Sequence, residues 1–459
     1  MYADELLQLL GADRSARTSG QPDARLATWT LPAHIDDDPG SWASSGAMSL
    51  TGHADRPPLD PGGPAIRRMI GAGAAAQLIA STMGVTLEID APALLGERAA
   101  LAGLSRRGRR SVGGSCEILP CDEGWIALNL PREDDIELVP AWLRDGELVD
   151  ASPATLSQAL LRHTRSSLIP SAQTLGIAVS AVGESCCSET APENQGVQTP
   201  FRLSATGSDE HPFAPRRWRA GHTPLVIDLT GLWAGPLCAS LLVDCGARVI
   251  KVESRARPDG ARSGSGEFFD LLNGGKLSVD LDPRGPVDRE RLRRLILQAD
   301  LVIESFRPHA MPRLGLGREE MMNLNPDLSW LSLNAYDRQS PMAERVGYGD
   351  DVAVSAGLVA IDHCGLPVFC ADAVADPMTG LLAFVVALSC LAGAGGHQAD
   401  ICMQDVVASL TRTREGSVPP ATPHDEPSPP APPRARPLRR AARPLGADTA
   451  DVLQHLGIV

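Results

Sequence analysis

Through residues 224–412, short apolar runs alternate with stretches whose apolar side chains recur at helical spacing. Residues 224–229 (Pro-Leu-Val-Ile-Asp-Leu) form one such run, and Pro236 then stands where a first helical turn begins. Residues 237–245 keep their apolar positions on one helical face, and residues 248–252 read as the next strand. The order repeats with a helix at 289–298, a strand at 301–303, a helix at 319–323 and a strand at 328–333. Alternation of this kind with short connections predicts parallel βαβ units, hence an α/β fold whose sheet is covered on both faces.

The pattern weakens in three places, which divide the chain. Residues 1–40 are weakly patterned and read as peripheral. Residues 193–223 are polar and rich in Gly, Ser, Thr and Pro, as expected of a linker. Residues 413–442 are dominated by Pro, Ala and Arg and predict an extended tether. The divisions are therefore 1–40, 41–192, the linker 193–223, a main domain at 224–412, the tether 413–442 and a terminal helix at 443–459.

With 459 residues and 43% hydrophobic content, the chain has material for more than one core. A net charge of -14 excludes a broad phosphate-neutralising surface, so no nucleic-acid partner is expected and any anionic ligand must be met by local cations. The ten cysteines, including Cys116, Cys121 and the adjacent Cys186 and Cys187, follow no metal-ligand spacing, and no metal is expected. Residues 1–10 do not read as a secretory leader, and the longest apolar run, 381–392, is shorter than a bilayer crossing. The expectation is a cytoplasmic protein with reduced thiols and no membrane partner.

Ligands of open parallel sheets bind beyond the carboxyl ends of the strands, which singles out the loop Thr230-Gly-Leu-Trp-Ala-Gly-Pro236. Its glycines do not form a dinucleotide fingerprint and serve equally well for a tight turn. Asp376, followed by Pro377 and a long apolar helical stretch, has the form of a helix N-cap with Pro at the first helical position. The same place suits a reactive carboxylate, because the positive end of a helix favours the anion. Asp372, four residues earlier, is the fallback for that reactive carboxylate, and Asp350 and Asp351 read as loop residues.

Taken together and in order, the segments Val226–Pro236, Leu241–Glu253, Leu272–Asp282, Val302–Pro308 with Arg313–Gly317, and Ala375–Leu382 resemble the family III CoA-transferases, the CaiB/BaiF group, and the likeness continues through Gly396–Asp405. The resemblance implies a Rossmann-like large domain that binds coenzyme A, a smaller α+β domain and an interlocked homodimer. Coenzyme A would be substrate rather than a tightly held cofactor, with an acyl-CoA and a carboxylic acid as the partners in exchange. It also implies that Asp376 attacks the thioester, giving a mixed anhydride and free CoA thiolate, after which the acyl group passes to a second carboxylic acid. A water-poor site is needed to protect such an anhydride. Family positions for CoA fall on Trp233, Ala234, Ser305, Phe306 and Arg313, with Lys276 and Arg307 adding to the field around the phosphates. Trp233 stands where these transferases commonly carry a polar residue.

A second likeness lies upstream. Trp42–Gly52, followed by Pro57-Pro58 and Gly62-Gly-Pro64, resembles residues 354–361, and pairing Gly71 with Gly380 sets Arg67 opposite Asp376, so this copy lacks the nucleophile. Ser111-Val-Gly-Gly-Ser-Cys116 resembles the family's glycine loop through Gly113 and Gly114, while residues 121–130 and 175–182 resemble the ends of its small domain. After Asp405 that domain is missing, and residues 443–457 resemble the family's terminal helix. The chain thus reads as a rearranged duplication, its first half supplying the small domain and glycine loop to the second. Two rivals share the fold. One is an acyl-CoA racemase, which would need a histidine in the segment Gly347-Tyr-Gly-Asp350, where none stands; the other is a CoA-binding paralogue that has lost catalysis.

Overall fold

The computed structural model describes residues 2–10, 41–144, 152–184, 199–205, 222–393, 395–412 and 429–458. In the N-terminal half, β1 (Cys116–Cys121), β2 (Gly124–Asn129) and β3 (Ala178–Ala181) form an antiparallel sheet in that order. Helices Val139–Leu143, Pro153–Leu160 and Arg165–Leu175 cover it, burying Leu128, Trp142, Leu160 and Leu168 in a core of their own.

The second sheet has seven strands: β4 (Phe201–Ala205), β5 (Leu225–Leu229), β6 (Arg248–Glu253), β7 (Leu277–Asp280), β8 (Leu301–Glu304), β9 (Ser329–Asn334) and, after a short hairpin of β10 (Val359–Ile361) and β11 (Pro367–Phe369), β12 (His397–Cys402). The order is β4-β12-β9-β8-β5-β6-β7, and all neighbours are parallel except β4 on β12. Counted from β5, the parallel strands follow the doubly wound order, with the topological switch between β5 and β8. Near-continuous Val, Ile and Leu in β5 and β8 follow from burial on both faces. The helix Ala375–Ala392 is long and apolar enough to cross a bilayer, extending well beyond the run 381–392, but 94% of it is buried inside this fold.

Three stretches differ from their sequence reading. Within 193–223, Phe201 and Leu203 alternate toward the core and make β4 an edge strand rather than linker, closing off β12. Residues 2–10 are not peripheral, because helix Tyr2–Leu9 buries Ala3, Leu6 and Leu10 against helix Ala65–Thr82; residues 11–40 lie outside the described residues. The part of the tether at 429–442 is docked along both halves. Arg434 bonds Asp90 and the Ser44 carbonyl, Arg436 bonds the buried Glu97, and Pro433 packs on Gly96. A proline-rich strand has little backbone freedom to lose on docking, so a few ion pairs fix it. It leads to the helix Thr449–His455, whose Val452 and Leu453 enter the core under the large sheet.

The first helix has a counterpart that pattern reading missed. Helices Ala65–Thr82 and Ala375–Ala392 pack against each other, and each carries a partner helix at a glycine. A Cβ on Gly71 would lie 3.2 Å from Tyr2 Cβ, and one on Gly380 would lie 2.8 Å from Leu237 Cδ2. Setting Tyr2 on Leu237 aligns Leu6-Leu7 and Gly11-Ala12 with Leu241-Leu242 and Gly246-Ala247. Too short to stand out alone, the opening segment repeats the helix that follows β5.

Candidate active site

The loop after β5 is held from below by buried charge. Lys276 Nζ donates to Asp228 Oδ2 at 2.8 Å, to the Pro236 carbonyl at 3.0 Å and to Asn273 Oδ1 at 3.1 Å. Lys251 pairs with Asp259 at 2.9 Å and donates to the Thr230 carbonyl at 2.9 Å. Asp259 in turn accepts from the Leu232 amide at 2.9 Å, fixing a non-glycine residue at φ +66°. Burial lowers Lys276 to about 8 despite the opposing pull of Asp228. Lys251 and Lys276 are the only lysines in the chain, and each is 2% exposed. Lys276 therefore does not reach a phosphate as expected; its compact ammonium is instead committed to Asp228, which it keeps charged in the core together with Lys251 and the Thr230 amide and hydroxyl.

Asp376 lies in the first turn of helix Ala375–Ala392, two residues beyond the N-cap Val374. The N-cap reading placed the helix start too late. The turn is tight because Ala371 and Ala373, on either side of Asp372, have φ +54° and +42°. Among the residues of that helix Asp376 alone is incompletely buried. The Ala234 backbone N–H lies toward its carboxylate and favours the anion, and Gly349 lies so close to its Oδ2 that any side chain there would collide with it. Asp350 and Asp351 are not loop residues. They occupy the first turn of helix Gly349–Ser355 and are buried. Asp350 Oδ1 accepts from the Ala373 amide at 2.9 Å, and Asp351 Oδ1 accepts from Asn129 Nδ2 at 2.8 Å and from the Tyr348 amide at 3.0 Å.

Burial pushes Asp376 up to about 7, opposed by Arg98 and reinforced by Asp350. It likewise pushes Asp351 to about 7 and Asp350 to about 6, the charge of Asp372 adding to the latter. Asp372 is fully buried and bonded by Arg98 Nε at 2.8 Å and by Nη2. It is thus committed to an ion pair and is not a free second nucleophile.

The N-terminal half closes this cluster within the same chain. A Cβ on the exposed Gly113 would lie 2.8 Å from Arg98 Nη2, and Gly114, at φ +88°, donates to Ser111 Oγ at 3.2 Å. Ser180 Oγ donates to the Asp351 carbonyl at 2.8 Å, and Arg345 Nη2 to the Val179 carbonyl at 2.8 Å. The glycine loop and small sheet therefore lie against the Asp350–Asp376 region. Arg98, Gly349 and the buried role of Asp350 carry no local sequence signal beyond the Gly-Tyr-Gly-Asp spacing at 347–350.

The other expected CoA residues separate into two groups. Trp233 is 2% exposed, edge-on to Phe268 at 4.9 Å and under Arg98 at 5.2 Å, so its ring is wall rather than ligand surface. Ala234 begins the following helix and directs its N–H to Asp376. By contrast Ser305, Phe306, Arg307 and Arg313 are exposed past the end of β8, Phe306 by 38%. Arg307 reaches toward the small domain at Gly176. These four stand beyond the carboxyl end of β8, at the sheet's switch point. At the β10–β11 turn Asp362, His363 and Cys364 bring three possible metal donors together, but Asp362 already accepts from His53, Cys364 and Leu366.

Residues 224–429 match the family model for CoA-transferase family III. An acyl-CoA transferase of Fusarium pseudograminearum is 34% identical over 206 residues, which are 41% of this chain and 44% of that protein. A formyl-CoA:oxalate CoA-transferase of Escherichia coli O6:H1 is 31% identical over 210 residues, 42% of this chain and 50% of the relative. The crystal structure of a CAIB/BAIF family protein from Brucella suis shares 30% identity over 40% of this chain and 53% of that one, with a TM-score of 0.38. The chain spans about half the length of the curated relatives it matches.

Proposed function

We propose, for a chain whose residues 224–429 match the model of CoA-transferase family III, that it moves coenzyme A between an acyl-CoA and a carboxylic acid with Asp376 as nucleophile. The observation that carries the reading is the carboxylate of Asp376, partly exposed at the start of an otherwise buried helix and facing the loop at the switch point of the sheet. An exposed ligand face formed by Ser305, Phe306, Arg307 and Arg313 supports CoA binding from the β8 side.

In the first step an Asp376 oxygen attacks the thioester carbon, the C–S bond breaks, and CoA thiolate leaves a mixed anhydride on the aspartyl group. The acceptor carboxylate then attacks the aspartyl carbonyl and displaces the first acid, giving a new anhydride. Attack of the thiolate on the acceptor's acyl carbon completes the new thioester and returns Asp376 as carboxylate. Burial by the N-terminal half keeps water from the anhydride. Transfer is favoured over racemisation because the charges bearing most on Asp376 are those of Arg98, Asp350 and Asp351, with no histidine among them to serve the opposite face of an α-carbon.

The experiment is mass-spectrometric detection of CoA exchange between acyl-CoA and acid pairs, with hydroxylamine trapping of the activated aspartyl group. Wild-type protein is expected to exchange CoA and to yield a hydroxamate on the peptide containing Asp376, and Asp376→Ala to do neither while still binding CoA. Full exchange by Asp376→Ala would overturn the assignment, and a wild-type protein that binds CoA without exchange would be a binding paralogue.

A further inference from the structure

Arg98 lies on helix Glu97–Ala102 of the N-terminal half, 274 positions from its partner Asp372. Three pieces of the site meet at its guanidinium: the Asp372 turn, the Trp233 ring and Gly113 of the glycine loop. We propose that Arg98 is the positioning residue of Asp376, holding the turn that leads into its helix and supplying the positive charge that faces its carboxylate. The inference rests on the transferase reading given above.

The geometry of the turn is the first support. Ala371 and Ala373 both sit in the left-handed region, where side-chain-bearing residues stay only under constraint. Three partners provide that constraint for three consecutive residues. Thr51 Oγ1 accepts from the Ala371 amide at 3.0 Å, Arg98 grips the Asp372 carboxylate with two bonds, and Asp350 Oδ1 accepts from the Ala373 amide at 2.9 Å. Two of the three partners come from the N-terminal half. The Asp376 amide then donates to the Ala373 carbonyl at 2.9 Å, so the position of this turn passes directly to the reactive residue.

Charge is the second support. The groups that face Asp376 are Arg98 from the N-terminal half, Asp350 and Asp351 from helix Gly349–Ser355, and the Ala234 N–H from the helix after β5. Two of these are anions that disfavour a third negative charge, and Arg98 is the cation that opposes them. A lysine at this position would keep the charge and lose the fork; a glutamine would keep hydrogen-bond donors for Asp372 and lose the charge.

The test uses the full chain and two readouts across about pH 5 to 9: the rate of CoA exchange, and labelling of Asp376 by a water-soluble carbodiimide, which takes up the carboxyl proton on nitrogen as the carboxyl oxygen adds to its central carbon. In Arg98→Gln the labelling midpoint and the rise in exchange rate are expected to move upward by about one pH unit or more, while Arg98→Lys stays near wild type. The amide pair Arg98→Gln/Asp372→Asn gives the same upward shift without an unpaired buried carboxylate. A folded neutral variant with the wild-type midpoint overturns the proposal. If neither neutral variant folds, Arg98→Lys decides, because an upward shift despite the retained charge would equally overturn it. A midpoint shift in a protein that exchanges no CoA would refute the transferase reading alone, and exchange without a shift would refute the positioning role alone.

Discussion

Ionising Asp376 places charge beside two other buried carboxyl groups, and this sets the sign of two pH effects. Attack requires the anion, and with a value near 7 the anionic fraction rises roughly tenfold from pH 6 to pH 8. Exchange rate is expected to follow that rise, and Asp350→Asn, which removes a facing negative charge, to move it toward lower pH; a flat profile over this range would count against Asp376 as the titrating group. Stability is expected to run the other way. Asp350, Asp351 and Asp376 all hold protons in the fold at pH values where the unfolded chain has released them, so their ionisation weakens the fold as pH rises between about 4 and 7. A melting temperature lower at pH 8 than at pH 5.5, with a smaller difference in Asp351→Asn, is the corresponding observation.

At the scale of elements, the contact between helices Ala234–Asp244 and Ala375–Ala392 sets the distance between the loop and Asp376. A methyl group at Gly380 would lie 2.8 Å from the Ala234 carbonyl oxygen. Gly380→Ala is expected to cost about 1–3 kcal/mol through overpacking and to cut exchange further by withdrawing the Ala234 N–H from Asp376. Gly71→Ala, at the equivalent contact with Tyr2, is expected to cost stability with little effect on rate. Denaturant midpoints and exchange rates of the two variants separate these outcomes. The strands β5 and β8 were legible because burial on both faces leaves near-continuous apolar runs, whereas helix Ala234–Asp244 begins before its apolar spacing because Ala-Gly-Pro has no large side chain to show it. The Asp376-Pro377 pair marked a helix start in the sequence, and the proposal of Asp376 as nucleophile came from family likeness. Asp350 and Asp351 read as loop because two acids in a row look solvated, while their burial depends on Asn129 and Ser180, far away in sequence. Lys276 looked like a phosphate ligand for the same reason: its partner Asp228 is 48 positions distant.

For the whole molecule, the two halves form one packed unit, and the segment 429–442 ties them together, Arg434 and Arg436 bonding Asp90 and Glu97 of the first half while Arg439 and the Ala442 amide bond Asp244 and Asp270 of the second. A fragment of residues 224–459 loses Arg98, Thr51, Asn129 and Ser180 from the site at once. It is expected to exchange no CoA, with activity returning when residues 1–223 are added; a fragment as active as the full chain would show that the first half is dispensable. The same packing has a consequence for the surface. Positive charge outside is carried by arginine, because both lysines of the chain are enclosed beneath the loop after β5. Amine-directed reagents therefore meet no side-chain target on the folded protein, and Lys251 and Lys276 acquire a label only when that loop and the strands beneath it come apart. Their labelling rate is a built-in clock for opening of the parallel-sheet core, readable by mass alone, without a mutation or an attached dye.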